Sequence, residues 1–233
     1  MKPTRISILG DEYFLYSQSS AELGVEPTAE NRAGSVLLSP SLTQDFFVKS
    51  YGKDGRVEKY NPAAAVAAAA HLTLVRGLPI QEFNFDTPGG SVEIFCTGNG
   101  FFEIEIPKCK VLFTGMVEAL GCDVAYADVF AWGVFRVLLC EDISNADRKA
   151  LQPLVLAGKH LPDALLFSSL SEGKIEILPY FDFNPAPPSR LLLYAAAYLA
   201  SDKKRGGAFA NDGELFLKRD YSSVYMRVKC EIK

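Results

Sequence analysis

The sequence predicts an α+β fold of two similar halves, each a mixed β-sheet or barrel wrapped around a central apolar helix. A four-residue motif carries this prediction, because it occurs twice, as Tyr-Asn-Pro-Ala at 60–63 and Phe-Asn-Pro-Ala at 183–186. Each copy opens an alanine- and leucine-rich stretch, 63–75 and 189–200, and glycine turns and short strand-like runs follow both. A duplicated unit of this kind usually places two equivalent helix starts across one cleft.

The chain length and the apolar helices indicate two domains. A chain of 233 residues suits two domains of about 110–120 residues, which we place at 1–113 and 114–233, with the last strand able to join the first half. Both central helices are apolar on almost every side, which is typical of a helix enclosed by other structure. Residues 101–106 alternate between apolar and acidic, as in a sheet with one solvated face.

Composition excludes several classes of protein. The net charge is −4 and no basic run is present, so we expect no nucleic-acid partner. No signal-type apolar core or membrane-length run occurs, so we expect a cytoplasmic protein without a membrane partner. The five cysteines are scattered singly along the chain, which indicates reduced thiols. The two histidines belong to no ligand-spaced cluster, so no metal site is expected, and His71 is predicted to be a hydrogen-bonded core residue.

Several segments resemble the diaminopimelate epimerase family. Residues 45–65, with Lys-Asp-Gly at 53–55 ahead of the helix, are similar to its strand, N-A-D-G turn and C-G-N-G helix start. Residues 8–13 resemble its G-L-G-N-D-F opening, and residues 33–38 its G-A-D-G-L-L strand. Residues 184–187 occupy the place of its second C-G-T-G. The resemblance implies that family's fold, with the ligand site between two helix N-termini.

The resemblance also implies that the family's chemistry has changed. The family uses one cysteine from each half as thiolate base and thiol acid, without a cofactor, and these positions are Asn61 and Asn184 here. An amide transfers no proton near neutral pH. The segments that hold the substrate in the family, G-N-P-H and E-R-G, fall around 130–133 and 178–180 and are not retained. Both acid/base residues and the substrate clamp are therefore replaced.

Four residues are candidates for ligand binding: Asn61, Asn184, Trp132 and Arg190. Asn is a favoured N-cap and Pro a favoured first helical residue, which is a sufficient structural explanation for both Asn-Pro pairs. The functional interpretation is that two helix N-termini offer partial positive charge and N–H groups to an anion. The resemblance places Trp132 at the cleft wall, with a core position as the alternative. Arg190 could meet a carboxylate ligand, with an ion-paired role as the alternative.

Three residues are candidates for proton transfer: Asp11, Lys59 and Asp182. Lys59 and Asp182 each stand two residues before an Asn of the repeated motif, so strand periodicity places them on its face. Asp11 lies in a glycine turn, where a turn-forming role is the alternative. Isomerases of the phenazine-biosynthesis type, which are related by fold, use carboxylates instead of cysteines, so the resemblance allows a cysteine-free site.

Two functions stay open. The first is a pseudoenzyme, a diverged family member that binds at most a small carboxylate or amino-acid-like ligand in the inter-domain cleft and could form a homodimer. The second is a cofactor-independent isomerase that moves a proton with Asp11, Asp182 or Lys59. Neither function calls for a cofactor. Replacement of both thiols together with the clamp favours the first.

Overall fold

The chain divides into two compact units. Unit 1 comprises Met1–Ile106, Ser189–Leu192 and Tyr225–Lys233, and unit 2 comprises Pro107–Pro188 and Leu193–Val224. The computed structural model describes residues 3–18, 34–52, 54–58, 61–106, 109–117, 122–129, 135–141, 164–169, 174–179, 189–200, 208–210, 214–220 and 223–233. The division into halves at 113/114 stays a prediction.

Unit 1 is a closed β-barrel. Its strands are β1 (Thr4–Ile8), β2 (Asp11–Ser17), β3 (Ser35–Pro40), β4 (Phe46–Tyr51), the short β5 (Val57–Glu58), β6 (Glu82–Thr87), β7 (Gly90–Gly98) and β8 (Phe101–Ile106). The final strand β16 (Ser223–Ile232) follows β8 in the sheet and pairs back onto β1, while β5 pairs only with β4. The pairs β2–β3 and β4–β6 are parallel, so the barrel is mixed. Closure removes the free edges that an open sheet would expose.

The helix inside this barrel is almost entirely alanine. Helix α1 (Pro62–Ala70) is buried at every residue, with exposures of 0–1% from Ala63 to Ala70. The barrel interior is already filled by Phe83, Phe85 and Phe102, each fully buried. Short side chains on α1 let these rings and the strand backbones approach it closely. The enclosed apolar helix predicted from the sequence is confirmed.

The predicted helix changes its hydrogen-bonding pattern before it ends. Its last five residues, His71–Val75, form a π-helical turn in which the Arg76 N–H donates to the His71 carbonyl at 3.0 Å. His71 is buried, as expected, but among the described residues neither of its ring nitrogens has a hydrogen-bond partner. The prediction of a hydrogen-bonded histidine is therefore wrong.

Unit 2 contains a second mixed sheet. Its strands are β9 (Cys109–Val117), β10 (Cys122–Val129), β11 (Phe135–Glu141), β12 (Ala164–Ser169), β13 (Lys174–Pro179), β14 (Ala208–Ala210) and β15 (Leu215–Asp220), and the sheet order runs β15-β14-β13-β12-β11-β10-β9. Helix α2 (Arg190–Ala200) buries Tyr194, Ala195 and Tyr198. Within the described residues, no helix is long and apolar enough to cross a membrane.

Candidate functional site

The start of α1 is the first part of the site. Asn61 is extended, with φ −138° and ψ 100°, and its Oδ1 accepts the Ala64 N–H at 3.1 Å. Pro62 follows as the first helical residue, where its lack of an N–H removes no helical hydrogen bond. Asn61 is therefore the N-cap of α1, and one of its two polar atoms is used in capping.

The other polar atom of Asn61 reaches a carboxyl group. Its Nδ2 donates to Glu58 Oε2 at 2.8 Å. Glu58 stands opposite Ser50 in the β4–β5 pair, and the Ser50 side chain also hydrogen-bonds to the Glu58 carboxyl. The side chain of the buried Tyr13 forms a hydrogen bond with Asn61. We call Tyr13, Ser50, Glu58 and Asn61 the Glu58 cluster.

The electrostatics of this cluster favour a protonated carboxyl group. Burial raises the pKa of Glu58 above its ordinary value, and the negative charges of Asp54 and Asp11 raise it further. The hydrogen bonds from Asn61 and Ser50 oppose this shift without reversing it. Burial also raises the pKa of Tyr13 well above its usual range, so its hydroxyl stays neutral. A partly buried acid of this kind can hold and release a proton nearer to neutral pH than a solvated one.

The second part of the site joins Asp11 to Arg190. Asp11 Oδ2 accepts the Arg190 backbone N–H at 2.9 Å, and Asp11 Oδ1 lies 3.6 Å from Arg190 Nε. Arg190 Nη1 donates to the Leu9 carbonyl at 3.0 Å. Asp11 thus binds the first N–H of α2, where a helix favours a negative charge. Both residues are candidates from the sequence, and the structure shows them bound to each other within unit 1.

The turn before Asp11 makes this contact possible. Leu9 and Gly10 both have positive φ, 52° and 82°, and connect β1 to β2. A Cβ on Gly10 would lie 2.8 Å from Arg190 Nη1. The guanidinium of Arg190 therefore lies directly over a glycine whose missing side chain leaves it room.

The remaining sequence candidates, Lys59, Asp182, Asn184 and Trp132, lie outside the described residues. The structure also identifies Glu58, which the sequence analysis did not name. A signal was present: the glycine turn at 52–55 sets the β4–β5 register, and that register places Glu58 opposite Ser50. Among the described residues, no group of three His, Cys, Asp or Glu side chains could hold a metal ion.

Comparison with known proteins supports a fold and no closer relationship. No family model and no curated protein matches the sequence. A phenazine biosynthesis protein of the PhzF family from Bacillus anthracis has a TM-score of 0.67 and 11% identity, over 100% of this chain and 97% of that chain. A PhzF-family protein from Enterococcus faecalis has a TM-score of 0.64 and 13% identity, over 99% and 96%. A hydroxyproline epimerase from Agrobacterium vitis, with bound trans-4-OH-L-proline, has a TM-score of 0.53 and 11% identity, over 99% and 90%.

The chain has the diaminopimelate epimerase-like α+β fold. The fold class predicted from the repeated Asn-Pro-Ala motif is confirmed, because the neighbours cover nearly the whole chain. Identities of 11–13% show that fold alone, since one fold hosts many activities. Function must therefore be argued from the side chains of this chain.

Proposed function

We propose that this protein is a diverged member of the diaminopimelate epimerase-like superfamily that lacks the two-cysteine racemase or epimerase reaction. One observation carries the proposal. Asn61 stands where the resemblance places a catalytic cysteine, and both ends of its side chain are bound within the protein, to the Ala64 N–H and to Glu58. These contacts hold the side chain in place as a helix cap, and an amide carries no transferable proton near neutral pH.

The contacts of Asp11 support the same function. Its carboxylate is held by the backbone N–H and the guanidinium of Arg190, so it serves the start of α2. The Arg190 side chain is itself 41% exposed. Among the described candidates, Arg190 is therefore the residue that can still meet a small carboxylate or amino-acid-like ligand.

Isotope exchange tests the missing reaction. The full chain is incubated in heavy water with meso-diaminopimelate, L-proline and trans-4-hydroxy-L-proline, and loss of the α-proton is followed by ¹H NMR. We expect no exchange above the protein-free rate. Exchange catalysed by the protein at any α-carbon would overturn the proposal.

Calorimetry with the same three compounds tests ligand binding. Any binding should be lost in Arg190→Met and kept in Arg56→Met, because Arg56 is a more exposed arginine that forms a local ion pair with Asp54. Binding that survives Arg190→Met would remove Arg190 from the ligand site.

One observation favours a second function, a cofactor-independent isomerase. Glu58 is a partly buried carboxyl group with a raised pKa, bound to the N-cap of a central helix. In its ionised form it could accept a proton from a substrate carbon, and in its protonated form it could return one, together with a partner such as Asp182 or Lys59.

The same exchange assay separates the two functions. The isomerase requires α-proton exchange that is abolished in Glu58→Gln and retained in Glu105→Gln, a matched change on an exposed strand face. Absence of exchange in the wild-type protein supports the pseudoenzyme. Exchange that is unchanged in Glu58→Gln would exclude Glu58 as the proton carrier.

A further inference from the structure

A cavity of about 480 Å³ lies entirely within unit 1. Its wall is formed by the π-helical turn, the segment that follows at 78–81, the end of β7 with its hairpin, and the start of β8. No residue of the Glu58 cluster lines it. The cavity is therefore separate from the candidate site at the start of α1, and its volume is within the range of small-molecule pockets.

The lining of this cavity combines apolar walls with neutral hydrogen-bonding groups. The partly buried Phe101 supplies aromatic surface, and the rim carries Leu74 and Ile80, which are 44% and 38% exposed. Amides and hydroxyls are contributed by residues that include Gln81, Asn99, Thr73 and Thr97. Among the described residues that line the cavity, none carries a charge. A charged ligand would therefore find no counter-charge among these lining residues.

Two irregular backbone segments form this wall. In the π-helical turn, the Arg76 N–H reaches back five residues to the His71 carbonyl, and such turns occur frequently at functional sites. In the β7–β8 hairpin, Gly98, Asn99 and Gly100 have φ values of 88°, 52° and 76°. Asn99 is a non-glycine residue in the left-handed region, and its side chain contributes to the cavity.

A thiol group lies in the same wall. Cys96 is partly buried, and its Sγ is 3.5 Å from the Thr73 hydroxyl that also lines the cavity. Burial raises the pKa of Cys96, so the group is a neutral thiol. Cys96 therefore adds no charge to the cavity and provides a position at which occupancy can be measured.

We propose that this cavity binds a small neutral molecule that combines an apolar ring with an amide or hydroxyl group. The ring would pack against Phe101, Leu74 and Ile80, and the polar group would exchange hydrogen bonds with Asn99 or Gln81. The absence of charged groups from the described lining selects against anions and cations of the same shape. This site is independent of the function proposed above.

Three probes of one shape and different charge test the proposal. The neutral 4-fluorobenzamide, the anionic 4-fluorobenzoate and the cationic 4-fluorobenzamidine are titrated into the full chain and followed by ¹⁹F NMR line broadening. A fragment of this size is expected to bind with roughly millimolar affinity. We expect saturable binding of the amide and at least tenfold weaker binding of both charged probes. Equal binding of the three would overturn the proposal.

Two variants place the probe. Thr97→Trp fills the cavity from an exposed strand position, and Ser91→Trp adds the same ring at an exposed position elsewhere on β7. We expect at least tenfold weaker amide binding in Thr97→Trp and no change in Ser91→Trp, with unfolding curves confirming that both are folded. Asn99→Asp keeps a residue that tolerates positive φ and introduces a negative charge. This variant should bind the amidine more tightly than the amide.

A last measurement does not depend on any variant folding. Iodoacetamide alkylation of Cys96, followed by mass spectrometry of its peptide, should slow at least threefold when 4-fluorobenzamide is saturating. An unchanged alkylation rate, or amide binding that survives Thr97→Trp, would overturn the proposal. Self-association that is lost in Thr97→Trp while no probe binds would assign this surface to a second copy of the chain and would also overturn it.

Discussion

Replacing Asn61 by alanine removes two hydrogen bonds of different kinds. Oδ1 caps α1 through the Ala64 N–H at 3.1 Å, and Nδ2 donates to Glu58 at 2.8 Å. Loss of an N-cap costs about 1 kcal/mol. Loss of the donor to the partly buried Glu58 carboxyl costs about 1–2 kcal/mol more. We therefore expect the free energy of unfolding to fall by about 2–3 kcal/mol in Asn61→Ala, the sum of these contributions.

Two further variants separate these contributions. Serine caps a helix about as well as asparagine but is too short to reach Glu58. Asn61→Ser should therefore keep the stabilisation from the N-cap and lose only that from the hydrogen bond to Glu58. Aspartate also caps, but it places a carboxylate against Glu58 and loses the donor. The free energy of unfolding of Asn61→Asp should therefore be close to that of wild type at low pH, where the two carboxyl groups share a proton. It should fall as pH rises and Glu58 ionises.

Urea unfolding followed by circular dichroism measures these differences, and amide hydrogen exchange at 63–65 reports on the start of α1. Because the chain has two units, the transition of unit 1 has to be resolved from that of unit 2. An Asn61→Ala variant within about 0.5 kcal/mol of wild type would refute the reasoning, since that is the scale of an ordinary surface change. A pH-independent effect of Asn61→Asp would refute the contact with Glu58.

Three other substitutions have expected outcomes. Because the pKa of Glu58 is raised in the folded state, the contribution of Glu58 to the free energy of unfolding should be lost as pH rises above the ordinary value of 4.5. In a pH series of urea unfolding, the stability of wild type relative to Glu58→Gln should therefore fall with rising pH, and a constant difference would contradict this. Gly10→Ala should lower the free energy of unfolding by about 1–2 kcal/mol, because Gly10 has a positive φ. The added Cβ should also clash with Arg190, and Arg190→Ala should relieve this second cost in the double variant. If the effects of the two substitutions on the denaturation midpoint are additive, the clash is excluded. Burial and the charge of Arg76 lower the pKa of His71, so the contribution of His71 to the free energy of unfolding should be lost as pH drops below 6.5. His71→Leu should be more stable than wild type by about 1 kcal/mol, because it removes a buried ring that has no hydrogen bond among the described residues, and this gain should grow below pH 6.5. A difference in thermal or urea unfolding that does not change with pH would count against it.

The local parts of the fold were predictable from the sequence. The Asn-Pro pair indicated a cap and a first helical residue, and the alanine run indicated an enclosed helix; α1 begins with both features and is buried throughout. Residues 101–106 were predicted as a strand from their alternation and form β8. These signals depend on neighbours within one turn or one strand, so no tertiary information is needed to read them.

The residues of the site were harder to predict. The sequence analysis named Lys59 and did not consider Glu58, whose carboxyl group accepts from Asn61. Lys59 lies outside the described residues, so its role stays a prediction. Asp11 was interpreted as a turn residue, and it does directly follow the Leu9-Gly10 turn. The residues near it in the sequence did not indicate its contact with Arg190. The π-helical turn and the cavity beside it likewise gave no periodic signal.

The sequence alone therefore determined where α1 begins, that it is enclosed, and that its N-cap is an amide. Only the tertiary structure decided what those groups contact. Asp11 follows the left-handed turn at Gly10 and accepts the backbone N–H of Arg190, which is 179 positions away in the sequence. The β4–β5 register places Glu58 in a partly buried position, where it accepts from Asn61. Hydrogen bonds of this kind depend on distance and burial in three dimensions, and residue order carries neither quantity.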